Sequence, residues 1–253
     1  MELFDAHAHL ASPEFAGDLP EVLARAEGAG VRGIVAVAET LGEAEHTLVL
    51  ADRYSLVKPA AGLYPTILDL GAAEAVVDFI RRHAAHLVAL GEVGVDHWVV
   101  KDAAEWKMQE EILGKFVALS NELGLPLNVH SRSAGRHCIA FLREHRARHV
   151  LLHAFDGRAG TAADGVEAGY FFSIPPSVVR SAQKQKLVRS LPMECILLET
   201  DSPVLGPDPS VRNEPMNVRI ACQAVADLKG VPEEDVVRIT TENARRLFPR
   251  AFA

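Results

Sequence analysis

Eight short runs of aliphatic and β-branched residues recur along the chain, and segments with helical spacing separate them. This alternation constrains the fold more than any other feature. The runs predict strands at 2–7, 32–38, 56–63, 87–93, 126–130, 149–154, 169–173 and 195–200. Between them lie stretches such as "LPEVLARAEGAG" at 19–30, where Leu19, Val22, Leu23 and Ala26 share one helical face and Gly30 stands at the expected end. Another helix is expected over 104–123, stopped by Gly124 and Pro126. Strands that read as continuous apolar runs between helices belong to a parallel sheet covered on both faces. Eight such units in 253 residues fit a closed barrel, whereas a doubly wound sheet more often stops at about five or six strands. The expected fold class is α/β: a single-domain (β/α)8 TIM barrel over residues 1–253. After the eighth run comes a long polar loop, "DSPVLGPDPSVRNEPMN", and two closing helices are expected near 216–229 and 233–247.

Composition narrows the class further. An apolar fraction of 49% and a charged fraction of 24% are those of a globular protein and exclude a fibrous or disordered chain. Apolar runs such as "GIVAVA" at 33–38 are too short to span a bilayer, and the acidic start "MELFDAHAHL" lacks the basic region of a signal peptide. A cytoplasmic protein with no membrane contact and no obligate protein partner is expected. Cys138, Cys195 and Cys222 are widely spaced with no CxxC pair, which argues against a disulfide framework and a zinc ribbon. The net charge of −8 argues against a general nucleic-acid coat. The charge is uneven, however: residues 126–190 carry 10 basic and 4 acidic side chains, enough to offer a basic face to an anionic substrate.

Side chains at the C-terminal ends of barrel strands converge on one mouth, and chemistry sits there. The expected strands end in Asp5, His7 and His9, in Glu92 and Asp96, in His130 and Arg132, in His153, and in Glu199 and Asp201. An isolated HxH is a weak signal, because residues two apart on a strand share a face for packing reasons as well. The conjunction is stronger, since four imidazoles and two carboxylates, Glu92 and Asp201, are costly to bury unpaired and a metal site removes that cost. Such a set exceeds what one tetrahedral ion needs and suits two ions. A carboxylate would bridge them, and a water between them would lose its proton near neutral pH. Mixed nitrogen and oxygen donors permit Zn²⁺, Mn²⁺, Fe²⁺ or Mg²⁺. No GxGxxG follows a strand, no GxxxxGK[ST] occurs, and no GxSxG elbow is present, so nucleotide cofactors and a serine nucleophile have no support. The stretch "HSRSAGRH" at 130–137 offers Arg132 to a phosphate, or Ser133 as a cap on the helix that follows.

With HxH on the first strand, then "GEVGVD", "NVHSRSAG", "LLHAFDG", "GYFFSI" and "LLETDSP" in that order, the chain resembles the TatD family of metal-dependent deoxyribonucleases, which belong to the amidohydrolase-like TIM barrels. The likeness runs from Phe4 to the closing "TTENARRLFP", and stretches such as "LLHAFDGR" and "VRNEP" are most similar to the subfamily of TatD-domain-containing protein three. The resemblance implies that His7, His9, Glu92 and Asp201 hold one divalent ion and that Glu92 bridges to a second held also by His130 and His153. Glu92 and Asp201 are then the catalytic carboxylates, Asp201 taking the proton of the attacking water. It also implies hydrolysis of phosphodiester bonds at DNA ends, single-stranded or frayed, with two ions of Mg²⁺, Zn²⁺ or Mn²⁺. Arg132, Arg212, Asn213 and Tyr64 are the expected substrate contacts. One departure stands out: members usually carry a GxHPH-like sequence after the third strand, and this chain has "GLYPT", with Tyr64 and Thr66 where histidines are common.

Two other functions fit the same residues. A metal-dependent ester or amide hydrolase, such as a D-aminoacyl-tRNA deacylase, would use the same centre on a different bond. A non-catalytic scaffold would instead enclose a structural ion, normally with four ligands and often with cysteine, rather than with six at an open mouth.

Overall fold

The computed structural model describes residues 2–253. Eight strands alternate with helices: β1 (Leu3–Ala8), α1 (Leu19–Gly28), β2 (Val31–Ala36), α2 (Leu41–Arg53), β3 (Val57–Ala61), α3 (Leu70–His83), β4 (Ala89–Gly94), α4 (Ala103–Leu123), β5 (Leu127–His130), α5 (Gly135–Glu144), β6 (Val150–Leu152), α6 (Ala159–Glu167), β7 (Phe171–Ile174), α7 (Ala182–Ser190) and β8 (Ile196–Leu198). Helices α8 (Val218–Lys229) and α9 (Glu233–Leu247) close the chain. All seven ladders are parallel and run in chain order from β1 to β8, the (β/α)8 barrel that the alternating runs call for.

The strands are apolar on both faces because one face fills the barrel interior and the other meets the helices. Every residue of β1, β4, β5, β6, β7 and β8 is buried. The helices bury one stripe each: α1 turns Leu19, Val22, Leu23 and Ala26 inward, and α4 ends at Gly124, whose φ of 66° suits a residue without a side chain.

Polar contacts complete the seam between the first and last strands. His9 N–H donates to the Ser202 carbonyl at 2.8 Å, and Asp201 N–H donates to the His7 carbonyl at 2.9 Å. Below them the fully buried Asp5 accepts from Thr200 N–H at 2.9 Å and from its hydroxyl at 2.6 Å. Burial pushes the Asp5 carboxyl up to about 7 against those hydrogen bonds. Asp5 is therefore a seam residue, while the two histidines after it reach the mouth.

Several observed strands are shorter than the apolar runs. The sixth stops at Leu152 and the eighth at Leu198, because the chain leaves the extended conformation immediately beyond: Ala154 has φ 42° and Asp201 has φ 53°. Left-handed backbone is unfavourable for both residue types and is found where surrounding structure fixes it, commonly at functional sites.

Candidate metal centre

The six residues read as ligands come together at the C-terminal mouth. His7 lies near the end of β1 and His9 just beyond it, while Glu92 is on β4 and His130 ends β5. His153 follows β6 directly, and Asp201 stands three residues past β8. His7 Nε2 is 3.1 Å from His9 Nε2, 3.3 Å from Asp201 Oδ1 and 3.5 Å from Glu92 Oε2. His9 Nε2 is 3.3 Å from both Glu92 Oε2 and Asp201 Oδ1. The second oxygen of Glu92 faces the other way, with Oε1 at 2.7 Å from His130 Nδ1 and 2.9 Å from His153 Nε2.

These spacings test whether ions fit. A tetrahedral ion with bonds of about 2.1 Å sets its ligands about 3.4 Å apart. The four donors on the His7 side lie 3.1–3.5 Å from one another wherever a contact is measured. On the His130 side the two contacts to Glu92 are tighter, near the neighbouring-ligand spacing of about 3.0 Å in a six-coordinate ion, while His130 Nδ1 and His153 Nε2 lie 3.3 Å apart. Both donor sets therefore suit divalent ions, and Glu92 faces each set with one oxygen.

The surrounding shell fixes which nitrogen of each ring faces inward. Asn128 donates through Nδ2 to the Ala6 carbonyl at 2.9 Å, which leaves its Oδ1 to accept from His7 Nδ1 at 2.8 Å. With Nδ1 held there, Nε2 is the nitrogen turned toward an ion. On the other side Asp96 Oδ2 accepts from His130 Nε2 at 3.0 Å, so Nδ1 faces Glu92. Asp96 Oδ1 in turn accepts the N–H groups of Trp98 and Val99 at 2.7 Å each. His153 stacks on His7 with ring centroids 3.8 Å apart, and its buried Nδ1 lies 3.8 Å from Glu199 Oε2.

Ala154, the residue after His153, is held by both its N–H and its carbonyl. Glu199 Oε1 accepts Ala154 N–H at 2.8 Å, and Lys184 Nζ donates to the Ala154 carbonyl at 2.7 Å. Glu199 is fully buried and pushed up to about 8, first by burial, with His7 and Ser173 opposing that rise. Burial lowers Lys184 in the same way, against the pull of Glu199 and Asp156.

Electrostatics keeps the Glu92 and Asp201 carboxylates ionised. Burial raises Glu92, but His153, His130 and His7 outweigh it and hold the carboxyl well below its usual range. Asp201 follows the same pattern, with His7 and His9 holding it far below the ordinary value. His130 is lowered by burial and raised by Asp96 and Glu92, and it settles at about 9. His153, against the same Glu92 oxygen, is driven down to about 4 by burial and by His7.

A cavity of about 540 Å³ opens over these groups, lined among others by Glu39, Tyr64, Arg132, Asp156, Lys184 and Val204. Tyr64 meets His130 edge-on at 5.2 Å. Arg132 and Tyr64 thus stand where a substrate would lie. Arg212 and Asn213 do not. The Arg212 guanidinium makes a two-pronged contact with Asp18 at 2.8 and 2.6 Å and lies over Phe15. Asn213 is buried and donates to the Thr200 and Val204 carbonyls at 2.7 Å each. Both hold the loop after β8 against the barrel. Ser133 is no cap either: Ala134 occupies that place, and Ser133, at φ 58°, gives its N–H to Asp156.

Sequence reasoning left out Asn128 and Lys184. The first was open to detection, because a polar residue in the apolar run "PLNVH", two positions before His130, shares that ligand's face of the strand.

Comparison with known proteins agrees with this geometry. Residues 4–249 match the family described as TatD related DNase. Human Deoxyribonuclease TATDN3 is 47% identical over 98% of this chain and 95% of its own length. The Bacillus subtilis protein described as an uncharacterized metal-dependent hydrolase, YabD, is 34% identical over 97% of this chain and 98% of its own. Among solved structures, the Escherichia coli TatD homologue YJJV superposes with a TM-score of 0.90 at 27% identity, covering 98% of each chain. A barrel of this topology, six converging metal-type donors and this family match lead to one conclusion: the chain belongs to the TatD-related DNase family and is a metal-dependent hydrolytic enzyme of that type.

Proposed function

We propose that residues 1–253 act as one hydrolase unit, a two-metal phosphodiesterase that cleaves DNA from single-stranded or frayed ends. The observation that carries this reading is Glu92, which turns Oε2 toward His7 and His9 and Oε1 toward His130 and His153. A carboxylate shared in that way matches a pair of ions, and the nitrogen and oxygen donors accommodate Mg²⁺, Zn²⁺ or Mn²⁺. Bound there, such ions would acidify a water and neutralise charge on phosphate oxygens.

The protein's own groups do the rest. Asp201, ionised between His7 and His9, receives the proton released at the attacking oxygen. Arg132 at the cavity wall offers a guanidinium to the phosphate, whose planar donors suit paired oxygens. Burial and the nearby Glu92 and Asp96 keep the Tyr64 hydroxyl protonated, so it donates to the substrate where histidines are common in the family. DNA as the substrate is supported by the human relative, which is described as a deoxyribonuclease. A cytoplasmic address belongs to the same reading and is supported by three unpaired, buried cysteines, as expected in a reducing compartment.

The test is incubation of the purified protein with Mg²⁺ or Mn²⁺ and an end-labelled single-stranded oligonucleotide. Shortening is expected, and Asp201→Asn is expected to reduce it at least about a hundredfold while the fold persists. Full activity in that variant removes Asp201 from its role. Turnover of a D-aminoacyl-tRNA with no cleavage of any oligonucleotide replaces the phosphodiester by a carboxylic ester as the bond attacked.

A further inference from the structure

Six large apolar side chains are exposed among the described residues, and five of them sit on loops that follow strands. Trp98 and Val99 come after β4, Val179 after β7, and Val204 and Val211 after β8, whereas Val49 lies on α2. Those loops surround the metal cavity. Single exposed apolar residues are ordinary on any surface, but a set gathered on the working face marks a contact for a ligand. Trp98 is the only aromatic in the set and is 56% exposed.

Two cations accompany the indole. The Arg132 guanidinium carbon lies over the ring at 5.2 Å from its centroid and Lys101 Nζ over it at 5.0 Å, so a base that stacks there takes the place of one of these mobile cations. Arg132 also lines the cavity, so one side chain links the rim to the centre. The backbone of the rim is held as well. Trp98 N–H donates to Asp96 Oδ1, and Asp96 Oδ2 holds His130 Nε2, which places the indole two hydrogen bonds from a ring of the metal centre. Exposed aromatic surface beside a cationic channel is the combination that binds unpaired nucleotides, with bases on the ring and phosphates on the cations.

We propose that Trp98, flanked by Arg132 and Lys101, is a stacking platform for an unpaired nucleobase of the DNA strand entering the cavity. The proposal rests on the DNA-cleaving reading above and deepens it by naming what selects single strands. A base inside a duplex is stacked on both faces, and one at a blunt end is still held in its pair and cannot turn alone onto the indole. A base in a single strand can, and because every base has a π-face the preference is for strandedness rather than for sequence.

The test uses the full-length, metal-loaded enzyme, Trp98→Ala and Trp98→Phe. The substrates are a single-stranded oligonucleotide, a blunt duplex of the same sequence and bis(4-nitrophenyl) phosphate, a phosphodiester without a nucleobase. Trp98→Ala is expected to raise KM for the single strand roughly tenfold more than for the other two, the size that loss of one base–aromatic stack implies. Trp98→Phe is expected to restore most of that difference. A phosphorothioate oligonucleotide, bound without cleavage, is expected to quench tryptophan fluorescence in the wild type and not in Trp98→Phe. The other tryptophan, Trp106, is packed on His97 at 4.1 Å and supplies the constant background. Equal losses on all three substrates, or an unchanged KM with no change in quenching, overturn the platform and leave the DNA-cleaving reading intact. Failure of the wild type to cleave either DNA while it still hydrolyses the small diester overturns the DNA reading itself, and the platform with it.

Discussion

Asn128 fixes the ring of His7 by accepting its Nδ1 proton at 2.8 Å while its own amide nitrogen is committed to the Ala6 carbonyl. The amide cannot turn over without losing both contacts, so Nε2 of His7 is held facing the ion site. Asn128→Ala is expected to weaken divalent-metal affinity about 10- to 100-fold, the usual loss when the partner behind a ligating histidine is removed. Metal titration checks this, with circular dichroism to show that the barrel persists. Unchanged affinity means that packing against His153 alone orients His7.

Glu199 and Lys184 hold Ala154 by its N–H and its carbonyl, and that residue follows the candidate ligand His153 directly. Lys184→Met keeps the length and volume but leaves the Ala154 carbonyl without its donor and Glu199 without its cation. A buried acceptor stripped of its partner costs about 1–3 kcal/mol. Chemical denaturation is expected to show a loss of that size, together with weaker metal binding as His153 loses its fixed backbone. A stability loss with metal binding unaltered makes the clamp structural only.

How much of this could be read from the chain depends on where each residue's partner lies. The eight strands were legible because each is a local apolar run, and the convergence of the six candidate ligands was legible because they end those runs in chain order. Asn128 shares its signal with His130 through the two-residue period of a strand. Lys184 had no comparable signal: it lies in "AQKQKLVRS", a polar helical segment, and only the packing of α7 against the loop after β6 gives it a buried partner. Arg212 misleads for the opposite reason. Its motif resembles a substrate-binding one, yet the carboxylate that engages it, Asp18, lies 194 positions away. Contacts of that range are set by tertiary packing and leave no mark on local periodicity.

Arg212 accordingly carries a stability prediction rather than a binding one. Its guanidinium joins Asp18 and Glu214, and Arg25 engages Glu214 through two hydrogen bonds at 2.8 Å. Arg25 first, and then Arg212, hold the Glu214 carboxyl below its usual range, and Arg212 does the same to Asp18. A carboxylate with a depressed folded pKa stabilises above the ordinary value of about 4 and loses that contribution as pH falls through its folded value. Arg212→Ala is therefore expected to lower Tm at neutral pH. The difference from wild type should shrink below about pH 4 and in high salt, which screens exposed charges. KM for an oligonucleotide should stay unchanged, and a large rise in KM would return Arg212 to the substrate.

Removal of metal tests the centre through its protons. His130 rests at about 9 because Asp96 and Glu92 overcome the effect of burial, so near pH 7 it holds a proton that an ion must displace. Metal uptake should release protons into weakly buffered solution, and affinity should rise with pH until about 9. The stability of the metal-free chain runs the other way. A histidine whose folded pKa is raised stabilises fully below its unfolded value of about 6.5 and loses that contribution as pH climbs through the folded one. Between these two values the chelated protein becomes less stable while the loaded protein binds more tightly. The gap in Tm between protein with excess Mn²⁺ and protein with EDTA should therefore widen from pH 6.5 to 9. At a hundredfold excess of ion over Kd, binding contributes about 2.7 kcal/mol to the loaded form. A gap that narrows over that range, or uptake without proton release, shows that His130 binds no ion and that its charge serves Asp96 and Glu92 alone.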